Sequence, residues 1–238
     1  YLSSRESNSE HLELRQAFLL TNSAWISISL FGSLPFLFSN LNLNFIDAFF
    51  ESTSGITTTG STIIPNLEQV SYGILLWRAL LQWLGGIGII VMAVAILPML
   101  SIGGMQLFKT ESYETPDKII PRAAIFASGI SIVYIVLTST WAFMLWLAGM
   151  PIFDSITHAM TTLATGGYST KSESLGAFNS VNIEMIIVFG MIVGSLPFIH
   201  YLSILKNGWK NLINDQQVKW FLLILFFLIS IVTFNLYI

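Results

Sequence analysis

"FIDAFFESTSGITTTGST", residues 45–62, lies over "IFDSITHAMTTLATGGYS", residues 152–169, at an offset of 107 without a gap. Asp47 falls on Asp154, Thr58 on Thr165 and Gly60 on Gly167, and in each copy the glycine follows the aspartate by thirteen residues. The apolar-to-mixed parts, 45–57 and 152–164, are too short to cross a membrane. At 1.5 Å per residue each covers about 18 Å, little more than half of a hydrocarbon layer of about 30 Å. Longer apolar stretches flank both. The repeated unit is therefore span, half-helix, Thr-x-Gly turn, span.

Composition agrees with a membrane setting. Hydrophobic residues make up 54% and charged residues 10%, with a mean hydropathy of +0.73, whereas soluble domains are about a quarter charged. A net charge of −3 gives no reason to expect a nucleic-acid partner, and the absence of cysteine excludes disulfides and thiolate metal sites. The polar opening, 1–16, has no signal-peptide pattern. The last apolar run is cut at Ile238, so the chain reads as part of a longer one.

Five stretches are long enough to span: 17–38, 74–98, 123–148, 183–205 and 218–238. If 45–57 and 152–164 dip in and return to the same side, the basic residues sort cleanly. Arg5, Arg15, Lys109, Lys118, Arg122, Lys206, Lys210 and Lys219 share one face, and Arg78 and Lys171 take the other. The first face is cytoplasmic by the positive-inside rule. The opposite face holds Asp47, Glu51, Glu68, Asp154, Glu173 and Glu184, which would gather cations or serve only as a solvated loop surface. The segments are then 1–16 as a cytoplasmic polar piece, 17–98 as the first unit and 99–122 as a cytoplasmic loop. They continue with 123–205 as the second unit, 206–217 as another loop and 218–238 as the first span of a third unit.

The Thr-x-Gly turn carries the chemistry. Alone it is most simply a helix ended by a glycine cap; two copies at fixed spacing, both inside the membrane, favour another use. Non-helical backbone at membrane depth survives only when it is buried in protein or lines a watery cavity. The β-branched run Thr57-Thr58-Thr59 loses rotamer freedom in a helix, so the half-helix ends there and carbonyls lose their intrahelical partners. A ring of such oxygens can replace the hydration shell of an alkali cation. Glycine at 60 and at 166–167 permits the backbone angles this needs. The half-helix C-termini point their negative poles at the ion, while Asp47 and Asp154 sit at the positive poles.

At these residues, and at "WRALLQWLGGIGIIVMAVAILP" (77–98), "HAMTTLATGGYST" (158–170) and "LRQAFLLTNSAWISISLFGSLPFLF" (14–38), the chain resembles the Trk/Ktr/HKT superfamily of potassium transporters. The resemblance is closest to the bacterial Trk and Ktr membrane subunits. It implies an all-α membrane protein whose span–pore helix–filter–span units surround one pseudo-fourfold pore, with two units present here and the first span of a third. It implies potassium uptake at the bacterial inner membrane, with a cytoplasmic N-terminus. The filter positions would be Thr58, Thr59 and Gly60 in one strand and Thr165, Gly166 and Gly167 in the other, with K+ held through Thr58, Thr59, Thr165 and Gly166. Asp47, Glu51 and Asp154 would be acids at the outer mouth. Glycine at the signature position resembles potassium-selective members, whereas some sodium-transporting relatives carry serine. The resemblance implies no cofactor beyond the ion in transit. It also implies homodimers and a cytosolic nucleotide-binding regulatory subunit. The family's gating loop and its pore-facing basic residue belong to repeats three and four and lie beyond this sequence.

Other residues have two readings each. Arg78 braces the half-helix through Glu51 or a loop carbonyl, or snorkels outward. Trp77 and Trp83 form an interfacial belt or pack inside. Gly85, Gly86 and Gly88 allow close helix approach or form a hinge. His158, in the place of Glu51, is a hydrogen-bonded structural residue or a proton sensor, and His200 faces protein or the permeation path. No nucleophile–base pair or metal-ligand spacing suggests an enzyme. Sodium-permeable or Na+/K+-cotransporting relatives, and a secondary carrier with broken helices, are the rival readings. Two units that run in the same direction favour the pore.

Overall fold

The computed structural model describes residues 14–100, 119–208 and 210–237. The expectations for the polar opening and for most of the loop 99–122, with Arg5, Lys109 and Lys118, lie outside these residues. Helix α1, Leu14–Gly32, is followed by a single turn, α2, Leu34–Leu37, and then by the short α3, Phe45–Ile56. The long α4, Tyr72–Leu100, completes the first unit. The second unit has α5, Ile119–Leu147, the short α6, Ile152–Leu163, then α7, Val181–Ser195, and α8, Phe198–Asn207. The five-residue α9, Lys210–Asn214, leads into α10, Gln216–Tyr237.

Two expected spans are interrupted. The first, 17–38, stops as a continuous helix at Gly32, where Pro35 removes a donor and the Ser33 hydroxyl donates to the Leu30 carbonyl at 2.6 Å. The span 183–205 breaks at Leu196–Pro197. Proline has no N–H and pushes its predecessor out of the helical region, and Leu196 has ψ 147°. The Val193 carbonyl, which loses the N–H of residue 197, accepts from Tyr201 Oη at 2.6 Å, and Ser195 Oγ donates back to Met191 O at 2.7 Å. Among the described residues, three helices are long and apolar enough to cross a membrane, at Tyr72–Ile90, Ala127–Leu147 and Gln216–Leu236.

Helix α4 joins the units, touching α3 on one side and α5 and α6 on the other. Its two glycines at this seam are required by space. A Cβ on Gly85 would run into the Ile56 carbonyl that ends α3, and one on Gly86 would lie 3.0 Å from Ala164 beyond α6. Gly88 faces nothing within 4 Å and takes no part in the seam. Both tryptophans point into the protein: Trp77 Nε1 donates to Gly32 O at 2.9 Å, and Trp83 Nε1 donates to Thr138 Oγ1 at 3.1 Å. Trp83 stacks on Tyr134 with centroids 5.4 Å apart. One apolar cluster, around Phe36, Ile56, Leu75 and Leu81, lies in the first unit. Another, around Tyr134, Leu145, Leu163 and Ile187, fills the second.

Candidate ion-filter site

The short helices stop in the same way. Asn44 caps the start of α3, accepting the Asp47 N–H at 2.9 Å. At the other end the Thr58 N–H donates to Gly55 O at 3.0 Å and the Thr59 N–H to Ser54 O at 2.9 Å. In α6 the Thr165 N–H donates to Thr162 O at 3.0 Å and the Gly166 N–H to Thr161 O at 2.8 Å. This is a Schellman ending in both copies, with the residue after the cap left-handed. Glycine normally holds that position; here Thr58 has φ 55° and Thr165 φ 53°. A left-handed β-branched residue is a genuine outlier and costs about 1–2 kcal/mol. Two residues on, Gly60 and Gly167 also have positive φ, at 80° and 82°.

The two turns touch. A Cβ on Gly60 would collide with the Gly166 carbonyl, while one on Gly167 would meet nothing within 4 Å. Thr58 and Thr165 line one cavity of about 380 Å³ together with Gly86, Ile130, Gly194 and Leu196, so the helix break at Leu196–Pro197 opens onto the same space. A larger groove, about 750 Å³, runs between α1 and α4 past Leu20, Trp25 and Leu84. Its lining is predominantly apolar. Among the described residues no hydrogen bond ends on the carbonyls of Thr58, Thr59, Thr165 or Gly167, and none involves the hydroxyls of Thr58 and Thr165.

The outer-mouth acids are differently placed from expectation. Glu51 is fully buried: its carboxylate accepts from Arg78 Nε at 2.8 Å, Thr62 Oγ1 at 2.9 Å and the Ile63 N–H at 3.1 Å. Asp154 is buried as well, accepting from Thr170 Oγ1 at 2.6 Å. These two acids brace the returning chain behind the turns and do not face bulk water. Asp47 is half-buried in the first turn of α3. Arg78 is buried rather than snorkelling; Nη1 reaches across to Ser169 O at 3.0 Å, and the guanidinium lies 4.1 Å from the centre of the Tyr168 ring. Its Nη2 and Ser52 Oγ are buried with no hydrogen-bond partner among the described residues.

His158 lies 2.8 Å from the Asp154 carbonyl through Nδ1 and 2.9 Å from Ser169 Oγ through Nε2. A carbonyl only accepts, so Nδ1 carries the proton. His200 faces Asp215 at 3.4 Å, on the strap between α8 and α10.

Sequence reasoning missed Gln82 and Tyr168. Gln82 Nε2 donates to Gly166 O at 2.9 Å, and its Oε1 accepts the Tyr168 N–H at 3.1 Å. Of the six filter candidates, Gly166 is the one whose carbonyl accepts a side-chain hydrogen bond among the described residues, from Gln82. The single Tyr168 Oη proton is shared between two carbonyls, Glu51 O at 3.0 Å and Ser61 O at 3.2 Å. The available signal was a lone amide inside a 29-residue apolar helix, where a polar group needs a partner. Among the described residues no cluster of three or more His, Cys, Asp or Glu could hold a metal ion, so carbonyls and hydroxyls are the donors on offer.

The TrkH family, described as a cation transport protein, matches residues 1–238. The Trk system potassium uptake protein TrkI of Halomonas elongata is 44% identical over 221 residues, which is 92% of this chain and 44% of that protein. The Trk system potassium uptake protein TrkH of Escherichia coli (strain K12) is 41% identical over 230 residues, 95% of this chain and 48% of that protein. Among solved structures, the crystal structure of the potassium transporter TrkH from Vibrio parahaemolyticus superposes with a TM-score of 0.75 at 40% identity. That match covers 87% of this chain and 41% of the other. The chain spans less than half the length of these relatives.

Proposed function

Because the chain belongs to the TrkH family of cation transport proteins, we propose that it supplies two of the filter strands of a potassium uptake pathway in the bacterial inner membrane. Four such strands around one axis would complete the pore, and the chain's share of its relatives' length fits two. The observation that carries the reading is the pair of threonines, Thr58 and Thr165, held left-handed at the ends of two helices whose following turns touch at Gly60 and Gly166. Strain of this kind persists only where the surroundings enforce it, and it clusters at functional sites. Positive φ at alternate residues, 58 and 60 and again 165 and 167, permits successive carbonyls to turn toward one side, as a ring of oxygen ligands requires.

In this mechanism the potassium ion sheds water as it enters the ring. The carbonyls of Thr58, Thr59, Thr165 and Gly167 replace that water, with the threonine hydroxyls as further ligands. The negative poles of α3 and α6 lower the cost of holding the cation. The cavity below, with the break at Leu196–Pro197, returns the ion to water. No covalent step is needed. Exposed Glu68 and half-buried Asp47 are the groups that attract cations from outside. Pairing into homodimers and docking on a cytosolic nucleotide-binding regulatory subunit belong to the same proposal and rest on the family resemblance.

The test is Gly60→Ser and Gly167→Ser in the full-length transporter, expressed in a bacterium that lacks its own potassium uptake. Each is expected to lower the K+-over-Na+ uptake ratio, with Gly60→Ser also reducing the rate because its Cβ meets the opposing Gly166 carbonyl. An unchanged ratio and rate in both variants would overturn the filter assignment.

A further inference from the structure

We infer that Gln82 and Arg78, on helix α4 of the first unit, set the ion discrimination of the second unit's strand. They act as positioning residues and not as ion ligands. The inference rests on the filter reading and adds to it a specificity determinant outside either strand.

Gln82 holds both peptide groups that flank Gly167. Its amide offers one donor and one acceptor edge, and it uses Nε2 on Gly166 O and Oε1 on the Tyr168 N–H, at 2.9 and 3.1 Å. With the peptides on both sides pinned, the left-handed bend at Gly167, φ 82°, has little freedom left. Arg78 holds the carbonyl of Ser169, two residues beyond Gly167, and covers the Tyr168 ring. Four successive residues, 166–169, are thus gripped from a helix that belongs to the other unit. Gln82 and Arg78 are fully buried or nearly so, so water does not compete for these bonds.

The grip also accounts for a difference between the copies. The first reads Thr58-Thr59-Gly60 and the second Thr165-Gly166-Gly167. A Cβ on Gly166 would occupy the space of the Gln82 amide. The second copy gives up a side chain where the neighbouring helix inserts one.

The arrangement runs in one direction. Gly85 and Gly194 occupy equivalent places, each against the carbonyl end of its own short helix, at Ile56 O and Leu163 O. Counting back from them, Arg78 corresponds to Ile187 and Gln82 to Met191. Neither of these can form the bonds, so α7 has no such grip to offer.

Full-length transporter carrying Gln82→Met or Gln82→Glu is reconstituted in liposomes, and K+, Rb+ and Na+ uptake is measured per molecule. Gln82→Met keeps length and removes both bonds; Gln82→Glu keeps the shape and the acceptor but loses the donor. Both are expected to lower the K+-over-Na+ ratio roughly tenfold, the scale of one buried polar interaction lost. A ratio does not depend on how much protein folds, so a merely structural role would leave it unmoved. If Gln82→Met does not insert, Gln82→Glu decides. If Gly60→Ser and Gly167→Ser shift the ratio while the Gln82 variants leave it intact, this inference fails alone. If none of the four shifts it, the filter reading fails as well.

Discussion

Positions 51 and 62 in the first unit, and 158 and 169 in the second, form the same partnership with different chemistry. Glu51 grips Thr62 and the following N–H and is itself gripped by Arg78. His158 touches Ser169 across the equivalent gap and leans on a backbone carbonyl. The backbone they support is the same in both copies, with paired φ values of 55° and 53° and then 80° and 82°. The turn is therefore the feature held constant, and the prop behind it is free to vary. A charged prop in the first unit has a use that a neutral one lacks: its cation also reaches Ser169 and Tyr168 of the second.

The largest contrast lies in removing one prop at a time. Arg78→Met would leave the Glu51 carboxylate buried without its counter-charge, an expected loss of about 3–5 kcal/mol. His158→Gln removes a neutral pair and should cost about 1–3 kcal/mol. Thermal unfolding of the purified full-length protein in detergent orders the two. Adding Glu51→Gln to Arg78→Met should recover most of the loss. A double variant as unstable as the single would show that the ion pair is not what props the first strand.

A smaller and opposite effect is expected at the turns themselves. Thr58→Gly and Thr165→Gly relieve left-handed strain while giving the unfolded chain more freedom, for a net gain of up to ~1 kcal/mol each. Potassium uptake should nonetheless fall, because each variant deletes a hydroxyl that has no other partner among the described residues. Stability and transport would move apart. Undiminished uptake would remove the hydroxyls from the mechanism, and a drop in stability would refute the strain account.

Much of this was legible in the sequence where local rules act alone. The limits of α3 and α6 follow from length and from the threonine runs, and their pairing follows from the 107-residue offset. What escaped depends on which face of a helix is covered. Asp154 looks like an exposed acid because its partner, Thr170, lies 16 residues away; the bond from Arg78 to Glu51 was one of two readings, and nothing in the sequence chose it over a snorkelling arginine. Gln82 acts on residues 84 and 86 positions distant, beyond any periodicity. The threonine run marks the helix end, but only glycine was assigned unusual backbone angles, and the chain also places threonine in the left-handed position two residues before it. Propensity alone would not put a β-branched residue there. Pro197 was in plain view, but an apolar run on both sides of it read as one span.

Outside the buried network the outer loops also join the units, through Glu68 and Ser172, and this contact should matter least. Glu68 in the first unit's outer loop accepts the Ser172 N–H at 2.8 Å and its hydroxyl at 2.6 Å. The Ser172 hydroxyl and then its backbone N–H hold the Glu68 carboxyl at about 2, below its ordinary 4.5. Bonds to the ionised form make a depressed carboxylate stabilising above its unfolded value. The contribution is full above about pH 4.5 and is lost as pH falls toward 2. The group is exposed, so solvent and salt screen most of it. Carboxyl NMR titration of the labelled protein should place the Glu68 midpoint near 2, and Ser172→Ala should move it back up toward 4.5. Glu68→Gln should lower the unfolding temperature slightly at pH 7, with the deficit shrinking steadily below pH 4.5. A deficit that grows on acidification would mean the loops are held together by something other than this carboxylate.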